Sequence, residues 1–309
     1  MWFKNIYFYR FTKPFNPASE ELEAKLADAR FRPCGSQDLT KSGWVPPLGR
    51  HGVQFVHETN GYRMLCLNRE DKILPSSVIK EIVQEKITEI EETQMRKVGR
   101  KEREELKDQV MTELLPQAFK RSQTTYGYIA AQDGFLIVNA GSPKKADEFS
   151  SQLREALGSL PIRMPMVKQS PSDIMTQWLT GERPLPAGFE LQDECELREP
   201  GENGGIIRCK GCDLQSDEFK AHLEAGKRVV KLALNWEEKI SFVIAEDLTL
   251  KRLRFGDILQ EQAHDSGAED AAAQFDADFA ILSMELARLL PQILDAFGGE
   301  DDSALLKAS

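Results

Sequence analysis

Residues 76–121 read SSVIKEIVQEKITEIEETQMRKVGRKEREELKDQVMTELLPQAFKR, and this stretch decides the architecture. Ile79, Ile82, Val83, Ile87 and Ile90 recur at helical spacing behind Ser76 or Ser77 as a cap. The pattern then lapses, and Leu106, Val110, Met111, Leu114 and Leu115 resume it. Gly99 lies in the polar gap, where it ends the first helix or forms the bend. From 91 to 105 the only apolar side chains are Met95 and Val98, so that part has little to bury. The spacing predicts a long helical hairpin whose roots pack on the protein and whose tip projects into water.

On both sides of this segment the rhythm is mixed. Upstream, residues 2–11, 54–56 and 62–67 suit strands and 20–30 suit a helix, while 33–37 and 43–49 are loop-like in their Gly and Pro content. Downstream, residues 126–130 and 135–139 flank the turn signal Asp133-Gly134, and a helix over 144–157 stops at Gly158. Pro161, Pro165 and the stretch 180–188 punctuate the chain. Strands are then expected at 189–195, 206–210, 229–234, 240–245 and 250–255, with a helix at 216–225. A final helix over 271–297 carries Pro291, which predicts a kink or restart. The irregular order predicts an α+β class. Residues 1–75 with 122–165 form a central unit, 76–121 a finger, 166–260 a second α+β unit, and 261–309 an acidic C-terminal helix returning to the centre.

The 309 residues hold 40 Lys and Arg against 50 Asp and Glu, a net charge of −10, which taken globally argues against phosphate ligands. The charge is uneven, however. Residues 261–309 hold eleven acids and two bases, leaving 39 acids and 38 bases elsewhere. At the hairpin tip, Arg96, Lys97, Arg100, Lys101 and Arg103 face one acid, Glu102, within residues 96–103. In a continuous helix Arg96, Arg100, Arg103 and Lys107 form one stripe, the arrangement that sequence-independent phosphate contact requires. A solvated helix face with charge pairs is the alternative, since 76–121 as a whole has ten acids and ten bases. Lys120 and Arg121 close the hairpin beside Phe119. Further bases cluster at Lys227, Arg228 and Lys231 and at Lys251, Arg252 and Arg254, where strand alternation puts Arg252 and Arg254 on one face and Lys251 on the other.

Motifs for catalysis are lacking. The four histidines form no HExxH, and neither a phosphate-binding G-x-x-x-x-G-K-[ST] nor a G-x-S-x-G elbow occurs. Cys209-x-x-Cys212 has no second ligand pair, so neither metal nor cofactor is expected, and Asp276 and Asp278 read as helix-dipole complements. Five scattered cysteines point to a reducing cytosol. The residues predict a protein that is not an enzyme.

Several long words carry a resemblance. MWFKN at 1–5, PCGSQD at 33–38, GWVPP at 43–47, KILPS at 72–76, LLPQAF at 114–119 and LGSLP at 157–161 are followed in order by AGK at 225–227, KLALNW at 231–236, LKRLRF at 250–255 and FDADF at 275–279. Over essentially its whole length the chain resembles the bacterial recombination-associated protein RdgC family. That resemblance implies a cytoplasmic, nucleoid-associated protein that binds double- and single-stranded DNA without sequence preference. It also implies a ring-shaped homodimer with a basic central hole that restrains RecA by competing for DNA. One subunit contact falls on Phe119 and a second on Lys210, Gly211 and Cys212. The competing reading is a protein-interaction module whose hairpin binds RecA or a replication protein directly.

Overall fold

The computed structural model describes residues 1–301 except 202, 203, 266 and 269. The C-terminal acids Glu269 and Asp302, and Lys307, lie outside the described residues. The first part of the chain forms β1 (Asn5–Phe11), α1 (Ser19–Asp28), β2 (Thr40–Val45), β3 (His57–Thr59) and β4 (Tyr62–Ile73). Then come α2 (Ser76–Gln94), α3 (Arg100–Leu114), β5 (Phe119–Ala130), β6 (Phe135–Asn139), α4 (Pro143–Leu157) and β7 (Ile162–Arg163). The remainder is α5 (Pro171–Thr180), β8 (Phe189–Arg198), β9 (Ile206–Lys210), α6 (Asp217–Glu224), β10 (Arg228–Trp236), β11 (Ile240–Ala245), β12 (Leu250–Phe255), α7 (Asp257–His264) and α8 (Ala271–Ala296). The class is α+β, with eight helices among the described residues and all strand pairs antiparallel.

One sheet runs in the order β2-β4-β5-β6-β1-β12-β11-β10-β8-β9, with β3 added on β4 and β7 on β1. Its central strand is apolar on both faces, as alternation requires of a strand covered on both sides. Ile6 and Phe8 of β1 enter one core with α5, α6, α7 and α8, while Tyr7, Tyr9 and Phe11 enter a second core with α1 and α4. The first core continues under β8, β10, β11 and β12; the second is confined to the β2, β4, β5, β6 and β1 half. A third, smaller cluster of Ile79, Val83, Ile87, Val98 and Val110 joins α2 to α3.

The differences from sequence expectation have local causes. Residues 54–56 are no strand, because the Glu23 carboxylate takes the Phe55 and Val56 N–H groups at 2.9 and 2.8 Å. Residues 43–45, expected as loop, instead end the strand Thr40–Val45, because Trp44 is buried against Phe149, and Gly43 lets the chain at Phe31 approach. A Cβ at Gly43 would lie 2.4 Å from Phe31 Cα. The proline-rich stretch hides α5, capped by the Ser170 hydroxyl and held by buried Ile174, Met175, Trp178 and Leu179. α7 was likewise unsignalled. Pro291 does not restart α8; the helix runs through it to Ala296 with Leu289, Leu290, Ile293 and Leu294 buried around the proline. Residues 119–121 begin β5 and do not close a helix. No helix among the described residues is long and apolar enough to cross a membrane.

Candidate nucleic-acid interface

α2 ends at Met95 in a left-handed conformation (φ 50°), and residues 95–99 connect it to α3, with Gly99 at the α3 N-cap position. Arg96 therefore leaves the helical stripe, and Arg100, Arg103 and Lys107 alone continue it. Together with Lys80 of α2 they rim a groove floored by Ile79, Val83 and Ile87. Two of the tip charges are already engaged. Glu102 takes Arg96 in two hydrogen bonds of 2.7 and 2.6 Å, and Glu91 takes Lys97 at 2.8 Å and the Val98 N–H at 3.1 Å. Those partners hold both carboxyls below their ordinary range, the Arg96 hydrogen bond first for Glu102 and that of Lys97 first for Glu91. Arg100 and Lys101, each more than nine-tenths exposed, meet Glu104 and Glu105 only at 3.6 and 3.9 Å.

At the other end of the pair, Lys120 donates to the Cys34 carbonyl at 2.9 Å and meets Glu70 at 3.2 Å, while Arg121 sits opposite Asp71 across β4 and β5. Beside them Phe119 is 84 % exposed, next to the partly exposed Ile73 and Val78 and to Leu114, an apolar hollow at the α2–α3 root. Phe119 is the first residue of a strand, with its side chain turned outward. Lys210, Gly211 and Cys212 lie at the end of β9, the edge strand at the far end of the sheet order.

A larger basic surface emerges from strand register. Residues facing each other across antiparallel strands share a face. Lys210 pairs Glu194, Arg208 pairs Glu196, Lys231 pairs Glu196 and Ala245, Lys251 pairs Val243, and Arg254 pairs Ser241. These side chains therefore stand on the face opposite the α5–α8 core, and among the described residues no helix joins a core cluster there. The sequence expectation for β12 is corrected here. Three residues, Lys251 to Leu253, span the register that two residues of β11 cover, because Arg252 takes φ 53°; the bulge turns Lys251 to the same face as Arg254. Arg208 and Lys231 share Glu196 at 2.8 and 2.9 Å, and Arg252 meets Glu194. Burial raises the Glu196 pKa, yet the two cations outweigh burial and hold it below the ordinary value. Among the described residues Lys210, Lys251 and Arg254 have no ion-pair partner. Arg228 is directed elsewhere, toward Asp173 at 3.9 Å.

Sequence reading missed Arg208 and assigned Lys210 only to a subunit contact, because a single Arg or Lys on a short strand carries no pattern. Only register brings them beside Lys231 and Lys251. Asp276 and Asp278, read as dipole complements, have other duties. Asp276 binds His57 at 2.9 Å and Thr59, and Asp278 binds the Met1 amine, so α8 fastens β3 and the chain start.

A surface of this kind offers point charges of the sort that meet anionic groups. A family model described as "Putative exonuclease, RdgC" matches residues 1–300. Over 301 residues the chain is 50% identical to the "Recombination-associated protein RdgC" of Tolumonas auensis, covering 97% of this chain and 99% of that protein. The same-named protein of Aeromonas hydrophila is 48% identical over 303 residues, covering 98% and 100%. That of Pseudomonas fluorescens is 43% identical over 302 residues, covering 97% and 98%.

Proposed function

The chain belongs to the RdgC family of recombination-associated proteins, and on that premise we propose that it is a sequence-independent binder of double- and single-stranded DNA. It acts as a ring-shaped homodimer at the nucleoid and limits RecA-dependent recombination by occupying DNA. The observation that carries this reading is the uncovered face of β8 to β12, with Arg208, Lys210, Lys231, Lys251, Arg252 and Arg254 against Glu194 and Glu196. Cations fixed on a sheet release counterions from any sequence alike. The tip cations Arg96, Lys97, Arg100, Lys101, Arg103 and Lys107, with Lys120 and Arg121 at the root, add a second contact zone.

In this reading the dimer closes through two separated patches. A twofold contact is self-complementary, and two such contacts on one axis enclose a hole between them. Phe119 with Ile73 and Val78 offers an apolar patch on β4, β5 and α2, while Lys210 to Cys212 lies beyond β9 at the opposite end of the sheet order. Retention of DNA inside a closed ring needs only weak phosphate contacts. Phe119→Ala is expected to shift sedimentation toward monomer while leaving the unfolding free energy of the monomer unchanged within about 0.5 kcal/mol, as for other exposed substitutions. A wild-type sedimentation profile would remove Phe119 from the contact.

Fluorescence anisotropy with duplex and single-stranded oligonucleotides at several salt concentrations tests the binding reading; affinity indifferent to salt overturns it. End-labelled DNA incubated with the protein and Mg²⁺ is the control, since shortening of the label would replace the binder by a nuclease. Co-sedimentation with RecA lacking DNA would favour the direct-interaction alternative. Glu196→Gln is expected to act in the opposite sense from a loss of cations. It frees Arg208 and Lys231, so binding tightens and the plot of log K against log salt steepens by about one to two. Weaker binding in that variant would mean that Glu196 holds the two cations in a needed position.

A further inference from the structure

Three thiols lie together at the end of β9, and the proposed function uses none of them for chemistry. Cys195 of β8 and Cys209 of β9 are direct cross-strand partners. Strand alternation alone would turn residue 212 to the face opposite Cys209. Gly211 prevents this: at φ 66° it adopts a conformation that other residues disfavour, and the Cys212 N–H donates to the Asp193 carbonyl at 3.3 Å, keeping the chain beside β8. The Cys212 thiol consequently turns back over the strand end, where it donates to the Lys210 carbonyl at 3.6 Å, one residue from Cys209, which itself lies opposite Cys195. Exposure is graded along the series: Cys212 is exposed, Cys209 half-buried and Cys195 buried.

We propose that Cys212 and Cys209 form a reversible redox pair, oxidised by a low-molecular-weight disulfide, with Cys195 remaining a thiol. The Cys212 thiolate attacks one sulfur of the small disulfide, forming a mixed disulfide and expelling one small thiolate. The Cys209 thiolate then attacks the Cys212 sulfur, forming the internal bond and expelling the second. The two protons lost by the cysteines end on the two small thiols, so the protein loses two electrons and the small disulfide gains them. The order follows from access. Within the single chain Cys212 is exposed and meets the small disulfide first, while the half-buried Cys209 is left as the resolving partner. The Cys195 pKa is pushed up, by burial first and then by Cys209, and the thiol opens onto the core.

The bond would span Lys210 and Gly211, fixing the turn that the proposed function assigns to a subunit contact. Its formation does not depend on that assignment. The test is treatment of the full chain with oxidised glutathione, followed by thiol alkylation, intact mass and peptide mapping. Two thiols are expected to disappear together, with Cys209 linked to Cys212, and to return with dithiothreitol. Cys209→Ser is expected to trap glutathione on Cys212, and Cys195→Ser to leave the linkage intact. A Cys195–Cys209 linkage, a persistent mixed disulfide on Cys212 in the unsubstituted chain, or no loss of thiols each overturns the proposal. A chain that forms the linkage but sediments as a monomer leaves it standing and overturns only the subunit contact.

Discussion

Replacing Lys210, Lys251 and Arg254 together by glutamate is expected to weaken DNA binding by about 10² to 10³-fold at moderate salt, equally for unrelated sequences, and to flatten the salt dependence by about three units of slope. These three are the bases on the uncovered sheet face with no ion-pair partner among the described residues, so each offers its whole charge to a phosphate. Lys251 and Arg254 stand opposite the short side chains of Val243 and Ser241. The comparison that gives the experiment its force is reversal at Arg96, Lys97, Arg100 and Lys101. There the first two are already neutralised by Glu102 and Glu91, so a smaller loss is expected. Equal losses would show that both zones contact DNA; an unchanged affinity in the triple variant would remove the sheet face from the binding surface. Both variants are read by anisotropy titration against salt.

Phe149→Ala is expected to destabilise the protein by about 3 to 5 kcal/mol, a large share of the total that a folded protein has in hand. The ring is fully buried in the second core, edge-on to Trp44 at 5.2 Å, and a Cβ at Gly127 would lie only 2.7 Å from its tip. Removing it opens a cavity between α4 and the sheet that the strand backbones cannot close. Urea unfolding should show a lower midpoint at an unchanged slope, and a midpoint within error of the parent chain would refute the packing account. The same chemical change at Phe119 is expected to cost folding almost nothing. Two phenylalanines of equal hydrophobicity thus separate into a core anchor and a contact residue by where their side chains point.

Much of this was legible beforehand. The α2 and α3 segments, the Asp133-Gly134 turn, the end of α4 at Gly158 and the strands β9, β11 and β12 all announce themselves through period, turn residues or caps, since those signals act over a few residues. β2 was not legible, because Trp44 and Gly43 adopt a strand in answer to Phe149 and Phe31, which lie far along the chain or behind a turn. α5 was hidden by proline, whose presence at the first helical position looks the same as in a loop.

By itself the sequence determined the element types over most of the chain, the family, and the local excess of base at 96–103. The tertiary structure alone decided which charges remain available. Glu91 reaches Lys97 across a helix end, Glu196 engages Arg208 and Lys231 from two neighbouring strands, and a single bulge at Arg252 carries Lys251 to the face of Arg254. It also set Cys195 beside Cys209, fourteen positions away, where sequence shows only the Cys209 and Cys212 spacing. The physical reason is common to all of these: Coulomb attraction, hydrogen bonding and thiol exchange depend on separation in space, which chain distance specifies within one turn or strand and hardly at all beyond it.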